Sequence, residues 1–400
     1  MTPESSPFTP GMPVPYEFFV GRVAEIERLR SMVRASLKGK FKIGFVTGER
    51  GIGKSSLVTF VRHLVEREDS VAGAHVFLGG AKDVPDMIRR TFDRLLKENI
   101  ERPWYGKLKD FFGRHVSEVG LFGISVELKL TAADLANLTH EFVPAIRHLL
   151  TKLKGERKSF LLILDDINGL ANSEEFANWL KSTVDEIATS REGLALCVLV
   201  VGLEEKRQAL LQLQPSLDRV FEIIDIRPWN TEEAQEFFRA TFEKGSAEAE
   251  PEAIDMMVKY TGGLPVLGHE IGDAVWRVAN GPKITIMDAL SGIFTAANVI
   301  GPKFLKPKVI EALRSPRYRS ILRKLAGASF NISFRRAEIL KRLDAEEKKV
   351  FDNFLNRMRD LGAIVQDGES GAGCYRFANT LHYLYFSIES RQASKEKRPK

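Results

Sequence analysis

A glycine-rich stretch near the amino terminus has the residue types and spacing of a phosphate-binding loop. The stretch Gly48-Glu49-Arg50-Gly51-Ile52-Gly53-Lys54-Ser55-Ser56 fits the pattern G-x-x-x-x-G-K-[ST] in full. Its glycines allow a tight turn in which successive N–H groups point at phosphates, while Lys54 places a positive charge beside the β- and γ-phosphates and Ser55 offers a hydroxyl to Mg²⁺. The stretch therefore predicts binding of a nucleoside triphosphate with Mg²⁺. For Arg50, a solvated loop tip is the alternative.

Two carboxylates follow an apolar run farther along the chain. The run Phe160-Leu161-Leu162-Ile163-Leu164 ends in Asp165 and Asp166. In enzymes with a phosphate loop, the first such acid holds Mg²⁺, often through water, and a neighbouring acid polarises the attacking water. This predicts Asp165 as a metal ligand and Asp166 as a catalytic residue. A plain acidic turn remains the alternative, because Asp-Asp before Asn168-Gly169 also favours a turn.

The elements around both motifs alternate between apolar strands and amphipathic helices, from Phe41 to about Pro228. This alternation predicts an α/β fold with a parallel sheet covered on both faces. The helix from Ser55 to about Glu66 adds its positive N-terminal end to the phosphate site. A hairpin-like insertion is predicted at residues 120–128. The predicted strands are Lys42–Thr47, Ala74–Leu78, Phe160–Asp165, Ala195–Val201 and Glu222–Ile226.

The remainder of the chain predicts two further modules. Residues from Glu232 to about Ile300 are predicted to be helical, with a break at Gly262-Gly263-Leu264-Pro265. The last hundred residues have the element order of a winged helix: Ser315–Ala326, Asn331–Phe334, Arg335–Leu343, Ala345–Leu361, Gly362–Gln366 and Cys374–Phe377, with a turn at Asp367–Gly373. The expected domains are a flexible segment (1–15), a nucleotide-binding core (16–229), a helical lid (230–300), a winged helix (301–392) and a basic tail (393–400).

Positive charge is concentrated in the last quarter of the chain. Residues 301–400 carry 22 Lys and Arg against 11 Asp and Glu, whereas residues 1–300 carry 37 against 42. In a DNA-binding winged helix, the third helix enters the major groove, so this charge predicts binding of duplex DNA. A module that clamps its own nucleotide or docks a protein partner is the alternative. The predicted DNA contacts are Lys348, Lys349, Asn353, Arg357 and Arg359; the predicted buried residues of the same helix are Phe351, Leu355 and Met358.

The segment Phe19-Val20-Gly21-Arg22-Val23-Ala24-Glu25 resembles the h-x-G-R-x-x-E box that precedes the phosphate loop in AAA+ ATPases of the STAND and archaeal-ATPase type, and in origin-recognition ATPases. The resemblance covers roughly residues 16–390. It implies a P-loop NTPase core with a helical lid, and it makes ATP the expected nucleotide. It also implies that Val20 and Gly21 lie beside the adenine and that Pro265, in the lid motif Gly263-Leu264-Pro265, packs against the base.

Arg219 is the candidate for an arginine that contacts the γ-phosphate. It follows the turn Pro215-Ser216-Leu217-Asp218, which resembles the post-sensor turn of these families. Three hypotheses remain open: Arg219 acts in its own subunit, acts in a neighbouring subunit, or is a solvated arginine. Arg277 is a second sensor candidate, with simple helix packing as the alternative. The sequence departs from the families at Val201-Gly202-Leu203, where no polar side chain occupies the usual sensor position.

The composition, with 44% hydrophobic and 28% charged residues among 400, is that of a soluble enzyme-sized protein. The longest uncharged apolar run, Leu194 to Leu203, is about half the length that crosses a bilayer, and the amino terminus lacks a signal-peptide pattern, so we expect a cytoplasmic protein. The main hypothesis is an AAA+/STAND-like ATPase that hydrolyses ATP slowly, forms a nucleotide-dependent homo-oligomer, and engages DNA or a partner through its winged helix. The alternatives are a non-hydrolysing scaffold, and a replication initiator or transposition regulator.

Overall fold

The structure is a computed structural model that describes residues 6–16, 19–119, 125–326, 332–367, 371–378 and 380–395. The chain divides into two compact units: residues 13–227 form one, and residues 1–12 with 228–400 form the other. The first unit contains a large hydrophobic core. The second has two cores, one among the helices that follow residue 228 and one in the last hundred residues. No helix within the described ranges is long and apolar enough to cross a bilayer.

The unit of residues 13–227 is built around a parallel sheet. The strands of this unit are β1 (Lys42–Gly48), β2 (Val71–Phe77), β3 (Val116–Val119), β4 (Ser125–Leu128), β5 (Ser159–Asp165), β6 (Leu196–Val201) and β7 (Glu222–Ile226). Its helices are α1 (Val23–Ser36), α2 (Lys54–Glu68), α3 (Val84–Lys97), α4 (Tyr105–Phe112), α5 (Ala132–His140), α6 (Phe142–Lys152), α7 (Glu174–Thr189) and α8 (Glu204–Leu213). The five parallel strands lie in the order β2-β5-β6-β1-β7. The predicted α/β fold with five strands is therefore confirmed.

The sheet differs from the sequence prediction in the length of β2. This strand begins at Val71 rather than Ala74 and includes Gly73. A Cβ atom on Gly73 would lie 2.5 Å from Glu66 Oε1 and 2.6 Å from Arg62 Cγ, both on α2. The glycine therefore permits close packing of α2 on the strand instead of ending it. The insertion predicted at residues 120–128 is an antiparallel pair of β3 and β4, although residues 120–124 lie outside the described residues.

The second unit begins with a helical bundle. Its elements are α9 (Thr231–Lys244), β8 (Glu248–Ala249), α10 (Pro251–Thr261), α11 (Pro265–Val278), β9 (Lys283–Ile284) and α12 (Ile286–Ile300). The described part of the amino-terminal segment packs into this bundle, where Phe8 is 3% exposed and contacts the rings of Phe237, Phe238 and Phe242. Gly272 makes room for it, since a Cβ there would lie 2.2 Å from the Phe8 ring. The Thr9 N–H donates to His269 Nδ1 at 3.2 Å.

The last hundred residues combine helices with a small antiparallel sheet. After a π-helical segment (Gly301–Ile310), the elements are α13 (Pro316–Ala326), β10 (Ser333–Arg335), α14 (Arg336–Leu340), α15 (Ala345–Asp360), β11 (Ile364–Gln366), β12 (Cys374–Phe377) and α16 (Thr380–Lys395). The strands lie in the order β10-β12-β11. The predicted burial of Phe351, Leu355 and Met358 is confirmed. Asn331 of the predicted strand and residues 368–370 of the predicted turn lie outside the described residues.

The terminal helix α16 was not predicted from the sequence. Two of its residues, Leu381 and Leu384, are buried in the core of the bundle formed by α9 to α12. Other residues of the same helix, including Phe386, belong to the core of the last hundred residues. The helix therefore contributes to both cores of this unit.

Candidate nucleotide-binding site

The predicted phosphate loop contains three glycines with positive φ angles. Gly48, Gly51 and Gly53 have φ angles of 146°, 81° and 93°, a region that side-chain-bearing residues rarely adopt. A Cβ on Gly48 would lie only 2.6 Å from the carbonyl oxygen of Ile226 on the neighbouring strand. Because α2 starts at Lys54, the loop N–H groups and the positive helix end share one site. These features agree with the tight, glycine-dependent turn predicted for a phosphate-binding loop.

The Lys54 ammonium lies across its own loop. Its Nζ donates to the carbonyl oxygens of Gly48 and Glu49, both at 2.8 Å. Burial lowers the pKa of Lys54 from its ordinary value, and the charge of Asp165 opposes this shift. Phosphate oxygens are stronger acceptors than neutral carbonyls. The two carbonyl contacts therefore mark a position from which the ammonium can exchange to phosphate oxygens.

Asp165 lies at the same edge of the sheet as the loop. It pairs in register with Val201 of β6, and Val201 pairs with Val46 of β1, two residues before Gly48. The carboxylate is 2% exposed, and its Oδ1 accepts the N–H of Asp166 at 2.8 Å. The structure thus brings the predicted metal ligand Asp165 to the edge at which the loop starts.

Asp166 is held in an unusual backbone conformation. Its φ angle is 56°, in the left-handed region that costs a non-glycine residue about 1 kcal/mol or more. The side chain is fixed by a hydrogen bond from the Asn168 amide to Oδ1. Its Oδ2 faces Gly79, where an added Cβ would lie 2.8 Å away. An exposed carboxylate held in a strained backbone next to the predicted metal ligand Asp165 is consistent with the prediction of a catalytic group.

The other predicted loop residues have distinct environments. Ile52 is 1% exposed and anchors the loop in the protein interior, whereas Glu49 and Arg50 are exposed at the tip. Ser56 is buried, and its Oγ accepts the backbone N–H of Val14 at 3.1 Å. The Ser56 hydroxyl is therefore engaged by the amino-terminal segment.

The box before the loop forms a tight left-handed turn. Gly21 and Arg22 have φ angles of 79° and 62°. The Arg22 side chain is almost completely buried, and its Nη1 donates to the carbonyl oxygen of Arg227 at 2.6 Å and lies 3.5 Å from Glu25 Oε1. Arg22 therefore fastens the start of α1 to the residue that follows β7. Val20, which precedes this turn, is half-buried.

The structure does not bring Arg219 to the phosphate loop. This exposed residue ends the 3₁₀ turn Pro215–Arg219, which precedes β7, while the carboxyl end of β7 is level with Gly48. The register from Glu222 to Ile226 alone separates these levels by about 13 Å.

Two other predicted site residues, Pro265 and Arg277, belong to the second unit. Pro265 is the buried first residue of α11, and Arg277 pairs with Asp273 at 2.8 Å.

A model described as an AAA ATPase domain matches residues 19–203, from the box through the end of β6. This part of the chain is therefore similar to AAA ATPase domains. The match includes the phosphate loop and both acids of the β5 end. The resemblance to AAA+ ATPases predicted from the sequence is therefore confirmed.

Two solved archaeal structures share the fold beyond the AAA ATPase domain. The Walker-type ATPase of Pyrococcus abyssi is 17% identical and superposes with a TM-score of 0.57 over 92% of this chain and 96% of its own. The ORC2 protein of Aeropyrum pernix, solved as ADPNP-ADP complexes, is 13% identical with a TM-score of 0.58 over 94% of this chain and 96% of its own. At these identities the likeness concerns the fold.

One curated relative matches at the level of sequence. It is an uncharacterized HTH-type transcriptional regulator of Methanocaldococcus jannaschii, 22% identical over 267 residues. The match covers 62% of this chain and 61% of that protein, so the chain spans about three fifths of its relative's length.

Two charged residues at the start of α8 were not predicted from the sequence. Glu204 comes directly after the segment in which no polar side chain was found, and the guanidinium of Arg207 donates to it at 2.6 Å and to Asp218 at 3.2 Å. The Arg207 hydrogen bonds lower the pKa of Glu204, and the Thr47 hydroxyl at the end of β1 adds to this shift. The spacing Glu204-x-x-Arg207 could have predicted this ion pair, because residues three positions apart on a helix are neighbours.

The five residues predicted to contact DNA are all exposed on α15, but the helix is not basic. Its acids Glu346, Glu347, Asp352 and Asp360 balance its bases Lys348, Lys349, Arg357 and Arg359. Lys349 is also paired with Glu346 at 2.5 Å. In contrast, α13 has four bases and no acid: Arg317, Arg319, Arg323 and Lys324.

A groove of about 810 Å³ adjoins the carboxyl half of α15. Its lining combines cations, amides, a tyrosine and two acids, and includes two of the predicted DNA contacts, Asn353 and Arg357. Arg314 and Tyr318 line the groove from the start of α13. The groove beside α15 is therefore also lined by polar residues, Arg314 and Tyr318, that were not predicted from the sequence.

Proposed function

We propose that the chain is a nucleotide-dependent switch that binds ATP with Mg²⁺, hydrolyses it slowly, and engages DNA or a protein partner through its last hundred residues. The observation that carries the proposal is the convergence of the glycine cradle, Lys54, Asp165 and Asp166 at one edge of the sheet in an AAA ATPase domain. The Aeropyrum pernix ORC2 structure was solved as ADPNP-ADP complexes, which supports the same nucleotide class.

The residues present fit ATP and Mg²⁺. In the proposed complex, the N–H groups of residues 48–55 and the Lys54 ammonium bind the β- and γ-phosphates. The Ser55 hydroxyl and the Asp165 carboxylate hold Mg²⁺, because such oxygens are the ligands that this ion prefers. When bound, Mg²⁺ neutralises the charge that develops on the phosphate oxygens. Val20, Gly21 and Pro265 are the proposed adenine contacts.

Asp166 is proposed to act on the attacking water. Its carboxylate accepts a hydrogen bond from that water and orients it toward the γ-phosphorus, so that ADP leaves as the new P–O bond forms. Lys54 stabilises the charge on the transferred group throughout. The measurement that tests this proposal is single-turnover hydrolysis of ATP in the presence and absence of Mg²⁺, with bound ATP quantified in parallel.

A non-hydrolysing lock is the second candidate for the nucleotide site. It is favoured by the position of Arg219, which lies away from the loop of its own chain. Under this hypothesis an isolated chain binds ATP tightly and shows negligible turnover. Under the main hypothesis a homo-oligomer supplies Arg219 in trans. Mixtures of Lys54→Ala and Arg219→Ala chains distinguish the two, because only complementation across subunits restores hydrolysis in co-assembled variants.

The DNA-binding part of the proposal rests on charge and on element order. The balance of +11 over residues 301–400 supports contact with phosphates, and the helices and three-stranded sheet have the order expected of a winged helix. Filter binding of duplex DNA with and without ATP tests it. A truncation after Ile300 is unsuitable, because Leu381 and Leu384 complete the core of the bundle before it.

A further inference from the structure

A buried histidine of β2 contacts the proposed metal ligand Asp165. His75 is 3% exposed and Asp165 is 2% exposed. His75 Nε2 lies 2.9 Å from Asp165 Oδ2. Because an ionised carboxylate only accepts hydrogen bonds, Nε2 carries the hydrogen and donates it. With Asp166 N–H on Oδ1, a donor from the protein reaches each oxygen of this carboxylate.

The other side of the same imidazole faces the helix of the phosphate loop. His75 Nδ1 lies 3.1 Å from Thr59 Oγ1, and this oxygen lies 2.7 Å from the carbonyl oxygen of Ser55. The Thr59 hydroxyl has one hydrogen to share between these two acceptors. Ser55 carries the other proposed Mg²⁺ ligand on its side chain. A continuous path therefore runs from Asp165 through His75 and Thr59 to Ser55.

Strand register explains how these residues meet. His75 pairs with Ile163 and Phe77 pairs with Asp165, so that His75 and Asp165 lie on the same face of neighbouring parallel strands. The Phe77 ring stacks on the imidazole, with centroids 4.5 Å apart. The imidazole is thus held by two hydrogen-bonding neighbours and one stacked ring, and its orientation is fixed.

We propose that His75 is a positioning residue that holds Asp165 and, through Thr59, the backbone of Ser55 in the geometry that binds Mg²⁺. The inference rests on the proposed function, because it assumes that Asp165 and Ser55 are the metal ligands. A carboxylate fixed by a donor loses less freedom when it binds a metal, and groups that orient metal ligands in this way typically contribute tenfold or more to metal affinity. Without His75, Oδ2 of Asp165 is buried without its donor, and the carboxylate can rotate away.

The alternative is a histidine that only fills the interior and satisfies its own hydrogen bonds. The two roles differ in a measurable way. A filler affects the free energy of unfolding, whereas a positioning residue affects metal affinity in the folded protein. His75→Leu removes both ring nitrogens at similar volume, and His75→Gln keeps an amide donor within reach of Asp165. Thr59→Val removes only the hydroxyl and keeps the shape.

The test measures Mn²⁺ affinity of the full chain saturated with ADP, from the electron paramagnetic resonance signal of free Mn²⁺. His75→Leu is expected to weaken Mn²⁺ binding by about tenfold or more, and His75→Gln to recover most of the loss. Thr59→Val is expected to weaken it by a smaller factor. ADP affinity in EDTA, measured by calorimetry, should be unchanged in all three variants, and in ATP hydrolysis kcat should fall while KM for ATP stays constant.

Mn²⁺ affinity equal to the wild type in folded His75→Leu overturns the inference and leaves the proposed function standing. A wild-type chain that binds neither ADP nor Mn²⁺ overturns both. If His75→Leu lacks a thermal unfolding transition, Thr59→Val and His75→Gln decide: wild-type Mn²⁺ affinity in Thr59→Val, or a loss in His75→Gln as large as that of an Asp165→Asn chain, contradicts the positioning role.

Discussion

The carboxyl edge of the parallel sheet and the outward face of α15 both carry predicted functional residues, but they are built differently. At the sheet edge, Lys54, Asp165 and Asp166 are fixed by hydrogen bonds, burial and left-handed backbone. On α15, the predicted contacts are exposed, and the acids of the helix equal its bases in number. The sheet edge is thus specified by geometry, whereas the exposed residues of α15 are not held in this way and the helix has no net charge.

The difference indicates what each region can recognise. A triphosphate with its metal ion is small, and its binding depends on donors held within a few tenths of an ångström. Duplex DNA presents a regular row of phosphates, and binding depends mainly on how many are neutralised. We therefore expect single substitutions to have large, specific effects at the sheet edge, and small, additive, salt-dependent effects near α15.

The largest expected effect is on hydrolysis at the sheet edge. Asp166→Asn keeps the shape but removes the carboxylate that orients water, so the single-turnover rate should fall by about 100-fold or more. ATP binding, measured by calorimetry, should be little changed. Asp93→Asn, which alters a half-buried acid of α3 paired with Lys97, is the matched control. An equal rate in Asp166→Asn and wild type would show that the strained acid is only a turn residue.

A second prediction concerns the buried polar group of the other unit. Burial lowers the pKa of His269 from 6.5 to about 4. Between these pH values the unfolded chain binds a proton that the folded chain does not, so stability is present above pH 6.5 and falls as the pH approaches 4. The loss for the unit of residues 228–400 should be about 3 kcal/mol.

The measurement is urea unfolding at pH 7 and pH 4.5, followed by the fluorescence of Trp229 and Trp276, both in this unit. His269→Gln offers an amide oxygen to the Thr9 N–H and does not titrate, so its stability should change less with pH. The same pH dependence in His269→Gln and wild type would assign the acid sensitivity to other groups. The prediction that burial of His269 makes this unit sensitive to acid would then be wrong.

A third prediction tests the cradle itself. Gly48→Ala introduces a Cβ 2.6 Å from the Ile226 carbonyl oxygen at a φ angle of 146°, and should destabilise the domain by about 2 kcal/mol and weaken ATP binding. Gly155→Ala is the control, because Gly155 has a φ of 93° with no atom within 4 Å of an added Cβ. Denaturation and calorimetry of both variants separate backbone strain from steric conflict. Equal behaviour of the two variants would contradict a specific close approach at Gly48.

The smallest effects are expected in the groove beside α15. Arg314→Ala and Arg357→Ala should each weaken duplex DNA binding modestly and flatten the slope of log affinity against log salt by about one unit. Lys349→Ala should have less effect, because Glu346 already neutralises its charge. Filter binding over a series of salt concentrations gives the slopes. If Lys349→Ala weakens DNA binding more than Arg314→Ala and Arg357→Ala do, the DNA contacts lie on the amino-terminal half of α15 instead.

Much of the fold was predictable because local patterns and the fold agree. The apolar runs at residues 160–165 and 196–201 predicted fully buried strands, and both lie inside the sheet. The additional residues of β2 were not predicted, because Gly73 is a strand breaker by propensity and its role depends on α2. The helix α16 was missed because its buried residues are divided between two cores, one of which is formed by the distant helices α9 to α12.

The phosphate loop and the acids at the end of β5 were predictable because each motif consists of consecutive residues and can be recognised without knowledge of the fold. His75 was not, since a single histidine in an apolar strand gives no signal until register places it beside Asp165. Arg219 was selected for its position in a turn, but only the parallel register of β7 shows which end of the strand it precedes. The balance of charge on α15 was visible in the sequence, yet its ion pairs required the structure.

We propose that residues 48–55, which include Lys54, form a site for ATP. Isothermal titration calorimetry of ATP into wild type, Lys54→Ala and Arg50→Ala tests it most directly, since Arg50 is an exposed cation of the same loop. The account predicts that Lys54→Ala weakens ATP binding at least tenfold, about 1.4 kcal/mol or more, and that Arg50→Ala changes it little. Equal ATP affinity in wild type and Lys54→Ala would contradict the account.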